Sequence, residues 1–126
     1  MKSQKPHRNL LAWQKTMDFT VNVYQATKNF PQEEVYALTS QLRRAAVSAP
    51  SNIAEGAAGR TRQQFSNYLS NAIGSLNEVD TQLELALRLG YVTGTDYDPC
   101  TKRSMSALPL HTNYERQSTV SRTAQK

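Results

Sequence analysis

Apolar residues recur along this chain at steps of three and four over three long stretches, the spacing of amphipathic helices. The first stretch, residues 8–29, carries Leu10, Trp13, Met17, Val21 and Tyr24 on one face. Phe30-Pro31 closes it, because a residue before proline avoids the helical region, and the acidic link QEEVYA follows. The second, residues 39–58, begins at Thr39 or Ser40, either of which can cap free N–H groups, and stops at Gly56 or Gly59. The third, residues 62–89, has the clearest pattern. Thr61 and Gln64 fit a capping box, and Phe65, Leu69, Ala72, Leu76, Val79, Leu83 and Ala86 follow at alternating steps of four and three. That is an unbroken heptad seam. Arg88 suits the carboxyl end of the helix dipole, and Gly90 is a natural left-handed cap with Tyr91 packing back beyond it.

After Tyr91 the periodicity fails. The remaining residues hold two prolines, many Ser and Thr, and no sustained apolar stripe. Asp98 and Pro99 can start a short helix with Met105, Ala107 and Leu108 to bury, Pro109 stops it, and disorder is expected beyond Leu110. Three amphipathic helices with short connections predict an all-α antiparallel bundle without a sheet. Its core needs a fourth helix or a neighbouring subunit to close it. The chain therefore divides into a helical domain, residues 1–98, and an atypical segment, residues 99–126.

The second helix poses a problem, since Pro50 sits near its middle in LRRAAVSAPSNIAEG. Proline has no N–H for the carbonyl of Ala46, and its ring crowds that carbonyl, a cost of about 3 kcal/mol. Ser48 or a nearby side chain is expected to satisfy it. Ala45, Ala49 and Ile53 form a narrow seam for close helix approach, and Arg44, Ser48, Ser51, Asn52 and Glu55 form a polar stripe beside it. Such a stripe reads either as a subunit interface, the reading preferred here, or as a hydrophilic outer face.

Composition narrows the class. The 126 residues make one domain, and at 38% apolar its core must be organised economically. The lone Cys100 excludes an intrachain disulfide, fits a reducing compartment and reads as an incidental thiol. The N-terminal stretch has no apolar signal region, and no run approaches the ~18 residues of a membrane span. A soluble, cytoplasmic protein is expected. Its net charge of +5 is unevenly placed, with residues 1–100 contributing +1 and residues 101–126 contributing +4.

Catalytic constellations are missing. The histidines, His7 and His111, are preceded three residues earlier by Gln4 and Leu108, so a Glu-x-x-His di-iron site is excluded. Ligands for zinc are too few, and a Cys–His nucleophile would need two poorly ordered ends. Glu84 and Arg88 form a helical i,i+4 pair, with Asp80 one turn earlier, as on a solvated face. No enzyme, cofactor or metal is expected. GAAG at 56–59 imitates a nucleic-acid-clamping loop, but that loop needs flanking strands, so a helix–helix corner is expected. Arg60 and Arg62 oppose the helix dipole at the start of the third helix. They are either exposed or paired with Glu55, or else they hold an anion such as phosphate.

The stretches LAWQKTMDF, NFPQEEVYALTSQLRRAAVSAPSNIAEGAAGRT and FSNYLSNAIGSLNEVDTQLELALRLGYV resemble the proteins encoded in intervening sequences of bacterial 23S ribosomal RNA genes. The resemblance runs in register from Leu11 to about Asp98. It implies an antiparallel up-and-down four-helix bundle, assembly as a ring-shaped homopentamer, and no enzymatic activity. It also implies kinship with accessory proteins of diversity-generating retroelements, which form similar pentamers and bind reverse transcriptase and nucleic acid. The chain departs from the family after Asp98, where relatives continue with an acidic fourth helix that is here degenerate or short. A shifted reading frame accounts for so abrupt a change, and the other frame is then expected to encode a heptad-patterned helix.

Two functions follow as expectations. The first is a non-enzymatic, self-associating bundle that serves as an interaction scaffold, with Arg44, Ser48, Ser51, Asn52 and Glu55 at or near the subunit contact. The second is an accessory protein that binds RNA, DNA or a reverse transcriptase, with Arg43, Arg44, Arg60 and Arg62 as phosphate contacts.

Overall fold

The computed structural model describes residues 5–93, and these are all-α, with no strand among them. A 3-10 turn, Pro6–Asn9, precedes helix α1 (Leu11–Thr27). A second 3-10 turn, Gln32–Glu34, leads into α2 (Leu38–Ala57), and α3 (Arg62–Arg88) follows after a tight corner. Helix α2 is the middle member, packed on α1 along one side and on α3 along the other. Its contacts run in reverse order along both neighbours, as in an antiparallel layer: Thr27 meets Arg43 where Thr20 meets Ala46, and Ser48 meets Ser75 where Gly56 meets Tyr68. The expected short helix from Asp98, the tail beyond Leu110 and the fourth helix all lie outside the described residues.

Helix α3 follows its sequence pattern. Leu69, Ala72, Leu76, Val79, Leu83 and Ala86 are all buried, and Phe65 packs against them partly covered. The Thr61 hydroxyl accepts from the Gln64 N–H at 3.1 Å, while the Gln64 side chain reaches back to the N–H of Arg60, one residue earlier than a regular capping box requires. At the other end Gly90 has φ +79°, its N–H bonds the Leu87 carbonyl, and the Tyr91 N–H bonds that of Ala86. This is the Schellman pattern.

Helix α1 departs from expectation. It starts at Leu11 rather than residue 8, and the face it buries is Ala12, Thr16, Phe19, Thr20, Val23 and Thr27. Of the expected stripe, Leu10 and Trp13 pack partly buried against the core, but the rest turns outward: Met17 is 40% exposed and Val21 51%, and Tyr24 is exposed too. Threonine explains the difference. The hydroxyls of Thr16, Thr20 and Thr27 each bond the carbonyl four residues earlier, at 2.9, 2.7 and 2.9 Å, which neutralises their polarity and leaves a methyl-bearing side chain fit for a core.

The start of α2 also differs. Neither Thr39 nor Ser40 caps it; the Glu34 carboxylate accepts from the Leu38 N–H at 3.2 Å. The other Glu34 oxygen accepts from the Tyr91 hydroxyl at 3.2 Å, and the Tyr91 ring lies 5.5 Å from that of Phe30. One side chain thus fastens the beginning of α2 and the end of α3. Desolvation, then the hydrogen bond to Glu34 and the charges of Glu34 and Glu33, hold the Tyr91 phenol above its ordinary value.

Pro50 lies inside a continuous α2. The carbonyl it frees, Ala46 O, accepts from the Thr20 hydroxyl of α1 at 3.0 Å, so the partner comes from the neighbouring helix and not from Ser48. Ala45, Ala49 and Ile53 are buried as a seam. Gly56, expected as a stop signal, lies within α2, where a Cβ would come 2.8 Å from Tyr68 Cβ and 3.1 Å from a Phe65 ring carbon. Close approach of α3 explains the glycine.

Three outcomes follow from this packing. Thr20→Val is expected to cost about 1–3 kcal/mol in denaturant unfolding, because it strands a buried carbonyl. In a Pro50→Ala background, where an N–H returns to Ala46 O, the same change is expected to cost distinctly less; equal costs in both backgrounds would refute the pairing. Gly56→Ala is expected to destabilise by about 1–3 kcal/mol through overpacking against Tyr68. The Tyr91–Glu34 contact contributes fully below a tyrosine's unfolded pKa of about 10. It is lost as pH rises through the raised folded value, so unfolding midpoints of Tyr91→Phe and the parent chain are expected to converge at strongly alkaline pH.

Candidate functional site

The last turn of α1, the 3-10 turn at Gln32–Glu34 and the first half of α2 enclose an open groove of about 1010 Å³. Its construction begins with Arg43. The Arg43 Nε–H donates to Thr27 Oγ1 at 2.8 Å, Nη2 donates to the Tyr24 carbonyl at 3.3 Å, and the guanidinium lies 4.6 Å from the centroid of the Tyr24 ring. Tyr24 O, in the last turn of α1, also accepts from the Thr27 hydroxyl at 3.1 Å, and the carbonyls of that turn carry the negative end of the dipole. Arg43 therefore clasps α1 to α2 while keeping positive charge on the groove wall.

Lys28, Arg43 and Arg44 all line the groove, and no carboxylate among the described residues does. Lys28 and Arg44 are exposed. Tyr36, in the turn before α2, is 96% exposed, so its ring stands off the protein, and Val35 and Val47 add exposed apolar surface. Thr39 contributes a different feature. It is only 6% exposed, and its hydroxyl has no hydrogen-bond partner.

The residues singled out from sequence fall in three places. Ser48 and Asn52 work within the chain: Asn52 Nδ2 donates to the Ser48 carbonyl and hydroxyl at 2.8 and 3.0 Å, and the Ser48 and Ser75 hydroxyls share a 2.8 Å bond to α3. Arg44, Ser51 and Glu55 face solvent, with the Ser51 hydroxyl turned back to the Val47 carbonyl at 2.8 Å. Arg60 and Arg62 lie exposed at the corner between α2 and α3, and neither forms an ion pair with Glu55. The four arginines do not converge. Most of α2, about 20 Å at 1.5 Å per residue, separates Arg43 and Arg44 from Arg60 and Arg62.

Sequence reasoning missed the groove. It placed Tyr24 in the core and treated Tyr36 as part of a link, although Val35-Tyr36 already stands apart as an apolar pair outside every helical seam. No group of three His, Cys, Asp or Glu side chains able to hold a metal occurs among the described residues. None of their helices is long and apolar enough to cross a membrane.

A family model described as 23S rRNA-intervening sequence protein matches residues 8–111. No curated protein matches the sequence. The match continues to residue 111, past Asp98, where the sequence pattern predicts a departure from the family.

The clasp predicts an asymmetry between adjacent arginines. Arg43→Ala is expected to lower stability by about 1.5–3 kcal/mol, as for hydrogen bonds made by a charged group, with Arg43→Lys recovering little because an ammonium lacks the planar fork. Arg44→Ala is expected to stay within about 0.5 kcal/mol, as a surface change. Chemical denaturation of the three variants checks both statements.

Proposed function

The chain belongs to the 23S rRNA-intervening sequence protein family, and from that premise we propose that it is a non-enzymatic, self-associating helical bundle that serves as a cytoplasmic interaction scaffold. One observation carries this reading: the three helices display more apolar surface than their own core uses. Met17, Val21 and Tyr24 on α1, Val47 on α2, and Leu85 and Leu89 on α3 are all exposed. Apolar side chains left exposed on all three helices are surface that a fourth helix or a partner subunit can cover. The finished unit is read as a four-helix bundle that associates into a closed homo-oligomer, a pentamer by family resemblance, with Arg44, Ser51 and Glu55 at or near the subunit contact. Ser48 and Asn52 support that surface from behind through Ser75.

A second reading, an accessory protein that binds nucleic acid, draws support from the groove, whose wall gathers three cations and, among the described residues, no carboxylate. Electrostatic attraction of that kind recruits polyanions without sequence preference.

Sedimentation velocity at tens of micromolar protein is expected to give one species larger than a monomer. A monodisperse monomer would end the scaffold reading. Val21→Asp with Val47→Asp is expected to abolish association while leaving the helical circular dichroism intact, because both side chains are exposed in the single chain.

A further inference from the structure

We propose that the groove between α1 and α2 binds a nucleotide unit, with its phosphate on Arg44 and Lys28 and its base stacked on Tyr36. The inference rests on the nucleic-acid reading, and it requires the groove, which shares Tyr24, Arg44 and Val47 with the proposed association surface, to stay open in the assembled protein. A free nucleotide and a single strand present the same chemistry to it.

Four observations converge on this groove. The first is charge. Arg43 commits two of its five N–H donors, to Thr27 and the Tyr24 carbonyl, whereas Arg44 and Lys28 make no hydrogen bond or ion pair among the described residues. A guanidinium and an ammonium lining one groove suit a phosphate, which the planar fork of arginine can grip through two oxygens at once. The second is the aromatic ring. Tyr36 at 96% exposure packs on nothing, leaving its face open to stacking, and base–aromatic stacking tolerates any base. The third is the buried Thr39 hydroxyl without a partner in the groove wall, an unmet polar group of the kind that native interiors rarely keep. The fourth is size. The 1010 Å³ of the groove reaches the upper end of the roughly 300–1,000 Å³ usual for small-molecule clefts, and it is open, so a strand can enter and leave. Stacking needs an unpaired base, which excludes an intact duplex as the ligand.

This places the phosphate site away from the α2–α3 corner. Arg60 and Arg62 do not line this groove, and their positive charge is a general contribution.

The test is fluorescence anisotropy with the full chain and a labelled single-stranded decathymidylate at low salt. The basic residues beyond 100 are then common to every variant. Arg44→Glu and Tyr36→Ala are each expected to weaken binding about tenfold, within the range measured for loss of one stacked base, while Arg60→Glu stays within about twofold of the parent. Displacement by adenosine monophosphate shows that one unit suffices, and displacement by oligonucleotide alone assigns the groove to a strand; either supports the proposal. No binding by the parent chain, or equal binding by all variants, overturns it. So does a loss confined to Arg44→Glu, or displacement by polyglutamate as readily as by the oligonucleotide, since an acidic polypeptide needs the cations and not the ring. Sedimentation of the same variants separates the two readings. Variants that keep their assembly but lose the oligonucleotide support the groove, whereas loss of both makes it a subunit contact and overturns the nucleotide site.

Discussion

The hydroxyl of Thr20 allows α2 to keep a proline in its middle, and the rest of the architecture depends on that accommodation. Pro50 deprives Ala46 of its helical donor at a fully buried position, where an unpaired carbonyl is costly. The donor arrives from α1, 3.0 Å away, from a hydroxyl that also bonds the carbonyl of Thr16 at 2.7 Å in its own helix. The position of α1 against α2 is thereby set at the level of a single hydrogen bond. A hydrophobic seam alone leaves a helix free to rotate about its axis, and α1 buries its threonine-rich face because that face carries the hydroxyl.

The same logic recurs at both ends of α2. Near its start, Arg43 supplies donors to the end of α1 as Thr20 supplies one to α2. Near its finish, the absence of a side chain at Gly56 admits Tyr68 and Phe65 of α3. Between them the chain of hydroxyls and amide from Asn52 through Ser48 to Ser75 ties α2 to α3 on the outer side of the alanine seam. Small residues bring the backbones close, and polar side chains then set the register, because hydrogen bonds are directional where apolar contact is not.

These economies leave surface to spare. With Ala, Thr and Gly filling much of the interface, larger apolar side chains such as Met17, Val21 and Leu89 face outward. The arginine that clasps the helices also brings charge to the wall of a groove where Arg44, Lys28 and Tyr36 stand unengaged. One contact serves folding and shapes the groove proposed to bind a nucleotide. Family membership and geometry meet in that division, since both the self-association proposed and the nucleotide site proposed use side chains that the fold itself does not consume.

What the sequence determined by itself was local. The third helix was legible in full, from the Thr61 cap through the seam to Gly90, because each contact that defines it lies within a few residues along the chain or repeats at a fixed period. The helical class was legible for the same reason, as was the Glu84–Arg88 pair, which meets at 3.1 Å; the corner between α2 and α3 was legible only roughly, since Gly56 and Ala57 belong to α2. Tertiary structure decided the buried face of α1, the donor for Ala46 O, the Glu34 cap shared with Tyr91, and the separation of the four arginines into two sites. Thr20 and Ala46 are 26 residues apart, and Glu34 and Tyr91 are 57 apart. No periodicity encodes such pairings. A threonine reads as polar in a pattern and turns apolar only once its hydroxyl has found a carbonyl, so the choice between Met17–Val21–Tyr24 and Thr16–Thr20–Thr27 waited for the neighbouring helix.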